Sequence, residues 1–226
     1  MIVQYINLPG LTDRLRAHFN CSTLEGAYLE NQGASFSIGS HFERRIFFNE
    51  LMTGSTIRDT RFSEFTLAFL EETGWYQVDY KYAEPMTYGK DKGCDFLNQL
   101  CVNQTTLEPR SKEFCGKLTA IGNYWTRRGV GVCGASSIMT DASLSQGFDY
   151  WGNKTTVIDQ YADNCPTVQM YKNIDCEDSN LQSTALLSEY EHYGYGAKGF
   201  IGTLYRNGDH FSNNFGYCFL PKVRYY

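Results

Sequence analysis

Eight cysteines, at positions 21, 94, 101, 115, 133, 165, 176 and 218, constrain this 226-residue chain more than any other feature. No two stand as C-x-x-C, which removes a zinc ribbon and a thioredoxin-type redox centre from consideration. The even number fits disulfides made in an oxidising compartment, and the spacing alone leaves roughly a hundred pairings open. Three acceptor triplets for N-glycosylation, beginning at Asn20, Asn103 and Asn153, point to the same extracellular or cell-surface setting. Residues 1–7 carry no basic start, apolar stretch or small-residue cleavage site, and no run approaches the ~20 apolar residues of a membrane span. A cysteine-rich chain without an export signal is expected to be part of a longer precursor, and any membrane association would use segments outside it.

Seven of the eight cysteines follow Gly93, and there the readable periodicity fades into Gly, Asn, Ser and Thr. A boundary is therefore expected near residue 100, with a helical unit over 1–100 and a disulfide-rich, β-containing unit over 101–226. In the first unit, Leu11, Leu15 and Phe19 share a helical face with Thr12 as the expected cap. Residues 31–40 read as a loop, and a helical period runs from His41 to Leu51 through Phe42, Ile46 and Phe47. A helix is predicted from about Thr60 to Thr73, stopped by Gly74, and a half-buried strand over Trp75–Tyr80. In the second unit, strands are predicted at Gly199–Tyr205 and Phe215–Leu220, and a brief helix at Ser183–Tyr190.

A net charge of −5 and no Lys/Arg cluster argue against nucleic acid as a partner; Arg44-Arg45 and Arg127-Arg128 are isolated pairs. Residues 129–134 satisfy a glycine-rich dinucleotide pattern but lack the strand and helix that give it meaning. Asp91, Asp95, Asp175, Glu177 and Asp178 read as solvated loop carboxylates; a calcium site among the last three lacks EF-hand spacing.

The chemistry concentrates at His41. Gly39-Ser40 before it lets the backbone carry an imidazole close to a metal, and Met52-Thr53-Gly54 follows eleven residues later as an apolar turn. Taken singly, a histidine is more often structural and a methionine more often core filler. Together they match the third ligand and the methionine turn of one clan of zinc peptidases. Glu30-Asn31-Gln32-Gly33-Ala34, Gly39-Ser40-His41 and Asn49-Glu50-Leu51-Met52 extend that match. So do Phe69-Leu70-Glu71-Glu72-Thr73-Gly74-Trp75-Tyr76, Ala83-Glu84-Pro85-Met86-Thr87-Tyr88-Gly89 and Gly93-Cys94-Asp95-Phe96-Leu97. This ordered series resembles the leishmanolysin group of zinc metallopeptidases within the metzincins, most strongly from about residue 18 to 101.

The resemblance implies an α+β fold: a metzincin-type C-terminal catalytic subdomain, mainly helical with loops, then the cysteine-rich domain. It implies Zn2+ as cofactor, His41 as a metal ligand, Met52 beneath the metal, and protein or peptide substrates hydrolysed by a metal-activated water. The family completes its site with His-Glu-x-x-His, and no such string occurs among these 226 residues. No catalytic residue is therefore assigned; His18, His192 and His210 are scattered, and the isolated chain is expected to be inactive. The rival expectation is a non-catalytic, secreted or surface module for adhesion or binding.

Overall fold

The computed structural model describes residues 4–32, 35–116, 118, 120–134, 139–140, 146–152, 155–156, 159–185, 190–206 and 209–221. Helix and sheet are mixed, as an α+β reading requires. The elements are β1 (Tyr5–Ile6), α1 (Pro9–Phe19), β2 (Ala27–Tyr28), α2 (Arg44–Phe47), α3 (Glu64–Glu72) and α4 (Cys94–Asn98). There follow β3 (Ile121–Asn123), β4 (Gly129–Cys133), β5 (Met139–Thr140), β6 (Thr155–Thr156), β7 (Val168–Asp175), β8 (Lys198–Arg206) and β9 (Asp209–Phe219). All pairings are antiparallel: β1 with β2, β3 with β4 and β4 with β7, β5 with β6, and β8 with β9.

Helix α1 buries Leu11, Leu15 and Phe19, as its period dictates. Thr12 is not its cap. Pro9 opens the helix, where a missing N–H costs nothing, and Thr12 lies one turn inside with its hydroxyl buried and unpartnered. Helix α3 begins where Ser63 accepts from the Phe65 N–H, and it ends at Thr73 before Gly74, whose φ is +74°. The period from His41 to Leu51 yields only the single turn of α2, because Phe48 leaves the helical region at φ 33°.

The strand expected over Trp75–Tyr80 is absent. Trp75 and Tyr76 are exposed, and residues 80–82 form a 3-10 turn that Asp79 caps. Alternation reports two chemically different faces; it does not supply a neighbouring strand to pair with. Tyr80 instead receives the Arg14 guanidinium over its ring at 4.1 Å and donates to Glu71 at 2.7 Å.

All eight cysteines are paired, as Cys21–Cys94, Cys101–Cys165, Cys115–Cys133 and Cys176–Cys218. Residues 129–133 are strand β4, bonded along both edges, and Cys133 is spent in a disulfide; the glycine pattern serves close strand approach. At Gly131 a Cβ would lie 1.8 Å from the Gln169 carbonyl oxygen of β7. Both predicted C-terminal strands are present, as β8 and β9. The helix expected at Ser183–Tyr190 falls partly outside the described residues; Ser179–Thr184 is 3-10.

Two cores result. The larger draws side chains from both sides of residue 100, from Leu11 to Cys165, and is dominated by rings. The smaller comprises Val130, Ile174, Cys176, Tyr193, Ala197 and Cys218. Between them runs an ion network. Asp59, fully buried, pairs with Arg61 and with Arg128 at 2.9 Å, and Arg128 turns its other edge onto Asp175 at 2.9 and 3.1 Å. Asp175 is therefore not a solvated carboxylate. Glu177 pairs with Lys198 at 2.7 Å and Asp178 caps a 3-10 turn, so these three acids do not converge on a cation. Among the described residues no helix is long and apolar enough to cross a membrane.

Candidate metal centre

His41 stands on the middle rung of a small ladder. Its carbonyl accepts from the Glu30 N–H at 2.8 Å, the Phe42 N–H donates to the Met52 carbonyl at 2.8 Å, and the Glu43 N–H donates to Tyr28 at 2.9 Å. Phe42 thus bridges Leu29 on one side and Thr53 on the other. With its own ring fully buried against Phe47, Phe42 fixes the histidine beside it and the methionine turn across from it. The sequence brings His41 and Met52 near each other by pattern; the backbone brings them together by pairing.

The imidazole of His41 is half-buried. Its Nδ1 lies 3.0 Å from Ser40 Oγ, which also reaches the carbonyls of Phe36 and Ser37 at 2.9 and 3.1 Å. That hydroxyl has one proton, so when it serves a carbonyl the Nδ1 proton is donated to the serine oxygen and Nε2 is left as a lone-pair donor. Among the described residues Nε2 takes no hydrogen bond. A ring held through one nitrogen and open at the other is the arrangement in which histidine ligates a metal. Gly39 makes the approach possible: its φ is +70°, and a Cβ there would sit 2.7 Å from Gln4 Oε1. Gly54 does the same for the methionine turn, where a Cβ would press Ser37 and the Tyr161 ring at 3.1 Å.

Several residues that sequence reasoning did not single out build the floor. Glu50 is buried and accepts from Ser63 Oγ at 2.8 Å, from Thr66 Oγ1 and from the Met52 N–H. It therefore ties the methionine turn to the first turn of α3. Burial raises its carboxyl above the usual range, and these donors offset part of that rise. Met52 packs half-buried against the larger core, while Leu51 beside it faces solvent.

Beneath the histidine rung lies a group of buried carboxylates. Glu43 caps α2 by accepting from the Arg45 N–H and also accepts from Asn31 at 2.9 Å. Asp163 accepts from Arg45 at 3.1 Å and from Gln32 at 3.2 Å, and Glu30 accepts from the Gln32 N–H at 2.9 Å. Burial is the first cause in each case: it pushes the Glu30 carboxyl up to about 7 and raises those of Glu43 and Asp163. Arg45 spends its remaining donors on the carbonyls of Phe96, Leu97 and Gln99, which pins α4 under the site. Arg44 pairs with Asp159 at 3.1 Å and holds the Ser55 carbonyl at 2.7 Å. The signal was present in the sequence: charges at 43–45 inside the apolar frame of Phe42, Ile46 and Phe47 have no water to face.

His18 is buried with Nε2 donating to the Tyr88 carbonyl at 2.8 Å, His192 is exposed, and His210 lies in β9. With every cysteine in a disulfide, no thiolate is offered, and among the described residues no three His, Cys, Asp or Glu groups converge on a metal. His41 fits zinc as one ligand; the described residues do not complete a set. Of the glycosylation candidates, Asn20 caps α1 in the left-handed region and Asn103 accepts from the Thr105 N–H at 2.9 Å, while Asn153 lies outside the described residues.

Residues 1–222 match the family Peptidase_M8: Leishmanolysin. A leishmanolysin-like peptidase of Drosophila melanogaster is 33% identical over 227 residues, covering 88% of this chain and 33% of the relative. One from Caenorhabditis briggsae is 46% identical over 99 residues, 44% of this chain and 15% of the relative. Leishmanolysin of Leishmania donovani is 31% identical over 176 residues, 77% of this chain and 29% of the relative. The chain thus spans a third or less of the length of these curated relatives.

Proposed function

Because the chain belongs to the leishmanolysin family of peptidases, we propose that it is the central and C-terminal portion of a zinc-dependent metalloendopeptidase acting on extracellular or cell-surface proteins. The observation that supports this most is the pairing of the His41 rung with the Met52 turn. In this reading residues 1–100 form the lower half of a metzincin-type cleft and residues 101–226 a cysteine-rich domain against it. His41 offers Nε2 to zinc, Ser40 holds the ring's orientation, Met52 supplies an apolar floor that keeps water from the imidazole, and Glu50 locks that floor to α3. Zinc bound in such a site polarises a peptide carbonyl and lowers the pKa of its bound water. Catalytic zinc uses three protein ligands with an open position. Among the described residues His41 is the single ligand offered, and the sequence holds no His-Glu-x-x-His to supply a general-base glutamate, so in this reading the chain by itself binds zinc weakly and cleaves nothing. The four disulfides support the oxidising compartment.

The test is zinc titration of the purified chain against a chromophoric chelator, with a casein assay alongside. Expected are weak binding of one zinc, its loss in His41→Ala with an unchanged circular dichroism spectrum, and no hydrolysis. Zinc binding that His41→Ala leaves intact overturns the ligand assignment. Casein cleavage by the chain alone, blocked by phenanthroline, overturns the assignment of inactivity.

A further inference from the structure

An open cavity of about 620 Å³ lies behind the methionine turn, and its chemistry is unlike that of the histidine site. Pockets for small apolar ligands are lined mainly by hydrophobic side chains. This one is walled by a single indole, Trp125, and by Pro85, with Asn49, two threonines and charged side chains around them.

Three observations bear on what it holds. First, Asn49 is only 2% exposed, and its Nδ2 donates to the Asp59 carbonyl at 2.9 Å and toward Oδ2 at 3.4 Å. Those acceptors fix the amide orientation, since turning it would set oxygen against oxygen. Its Oδ1 is buried and without a partner, so the Asn49 side chain is a fixed polar part of the cavity wall.

Second, the charge at the mouth is reversed relative to the chain as a whole, which carries −5. Asp59 is neutralised by Arg61 and Arg128, and Glu113 by Lys92 at 3.5 Å. Lys90 and Lys112 line the cavity exposed, and among the described residues neither is in an ion pair; Asp91 is the one carboxylate left to oppose them. Third, the Trp125 ring is braced edge-on at 5.4 Å by Tyr88, which is fully buried, so the indole is a fixed wall.

We propose that this cavity is a binding site for an anionic saccharide. A sugar ring packs its C–H face on Trp125, its hydroxyls meet the polar wall of Thr87 and Thr126, and a sulfate or carboxylate group lies between Lys90 and Lys112. The volume suits one or two sugar units. The site is independent of zinc and of His41, so it stands or falls separately from the peptidase reading.

Calorimetric titration of the purified chain tests it with three probes: a sulfated disaccharide, the same disaccharide without sulfate, and inorganic sulfate. The sulfated disaccharide should bind with heat that declines as salt rises. Its affinity should drop by about tenfold in the double variant Lys90→Ala/Lys112→Ala, which changes only exposed side chains. Trp125→Leu should weaken both saccharides. The proposal is overturned if no probe binds, if the lysine variant binds equally well, or if the neutral disaccharide matches the sulfated one. Inorganic sulfate binding as tightly as the disaccharide would reduce the site to an anion contact and overturn the saccharide assignment.

Discussion

The two cores of this molecule are held by different means. In the larger, Phe19, Phe42, Phe47, Phe65, Tyr88 and Phe96 pack ring against ring around four helices, and the Cys21–Cys94 bridge is a small part of that packing. In the smaller, two of the six buried hydrophobic residues are the halves of Cys176–Cys218. A crosslink added to a packed core limits the unfolded chain; a crosslink that is a third of the core also supplies contacts. The difference says where each region will fail first.

The largest effect should come from Cys176→Ala/Cys218→Ala. In the chain-entropy account a separation of 42 residues is worth about 4 kcal/mol, and the smaller core loses two of its buried sulfurs as well. Hydrogen exchange should show β8 and β9 losing protection while α1 and α3 keep theirs. The counterpart Cys21→Ala/Cys94→Ala removes a similar entropic contribution, about 4 kcal/mol for 73 residues. It should lower the melting temperature yet leave the protection pattern intact, because the rings remain. Loss of α1 protection in the first variant would mean that the cores melt as one unit and would erase the contrast.

Arg128 probes the joint between the regions. Truncation to alanine leaves Asp59 and Asp175 buried with fewer cationic partners, Arg61 on one and Arg58 at 3.8 Å on the other. Removing one partner of such a pair costs about 3 kcal/mol. Arg128→Lys should recover only part of it, because an ammonium cannot face both carboxylates as the planar guanidinium does. Equilibrium denaturation of the two variants decides the matter; a cost under about 0.5 kcal/mol for the alanine variant would show that the network is solvated in solution.

The same contrast explains what the sequence disclosed. Helix α3 was legible through its apolar stripe and glycine stop, though its start is set four residues later than predicted by the Ser63 cap. The predicted strand Gly199–Tyr205 lies within β8, and Phe215–Leu220 marks only the second half of β9, which begins at Asp209. The segment 75–80 misled because its alternation had no partner strand, and α2 because burial on every side resembles helical periodicity. At the candidate site, His41 and Met52 stood out through residue type and spacing. Glu30, Glu50 and Asp163 did not, since a carboxylate in a sequence looks solvated until its donors are known; Glu43 had only the apolar frame around it as a signal. The disulfide pairing was equally hidden, because it joins residues 18 to 73 positions apart through the folded backbone alone.

The smallest effect carries the clearest sign. His18 sits edge-on to Phe19 and Phe65, at 4.8 and 5.1 Å, with Nε2 donating to the Tyr88 carbonyl. Burial is the first cause holding its pKa below that of a free imidazole, with Lys90 adding to the effect. The folded chain therefore binds this proton less readily than the unfolded chain. The stability that His18 contributes is complete above about pH 6.5 and is lost as pH falls from there toward the lowered folded value. The buried carboxylates act in the opposite sense: their raised pKa values make the folded state the better proton acceptor, so acidification through that range favours folding. A wild-type curve alone mixes the two. Subtracting the unfolding free energies of His18→Gln cancels the carboxylates and leaves a difference that is flat above pH 7 and moves against the wild type on acidification. A difference that stays constant from about pH 5 to 8 would show that the imidazole titrates as though exposed, and the first turn of the contrast, rings packed tightly enough to exclude water, would not hold at α1.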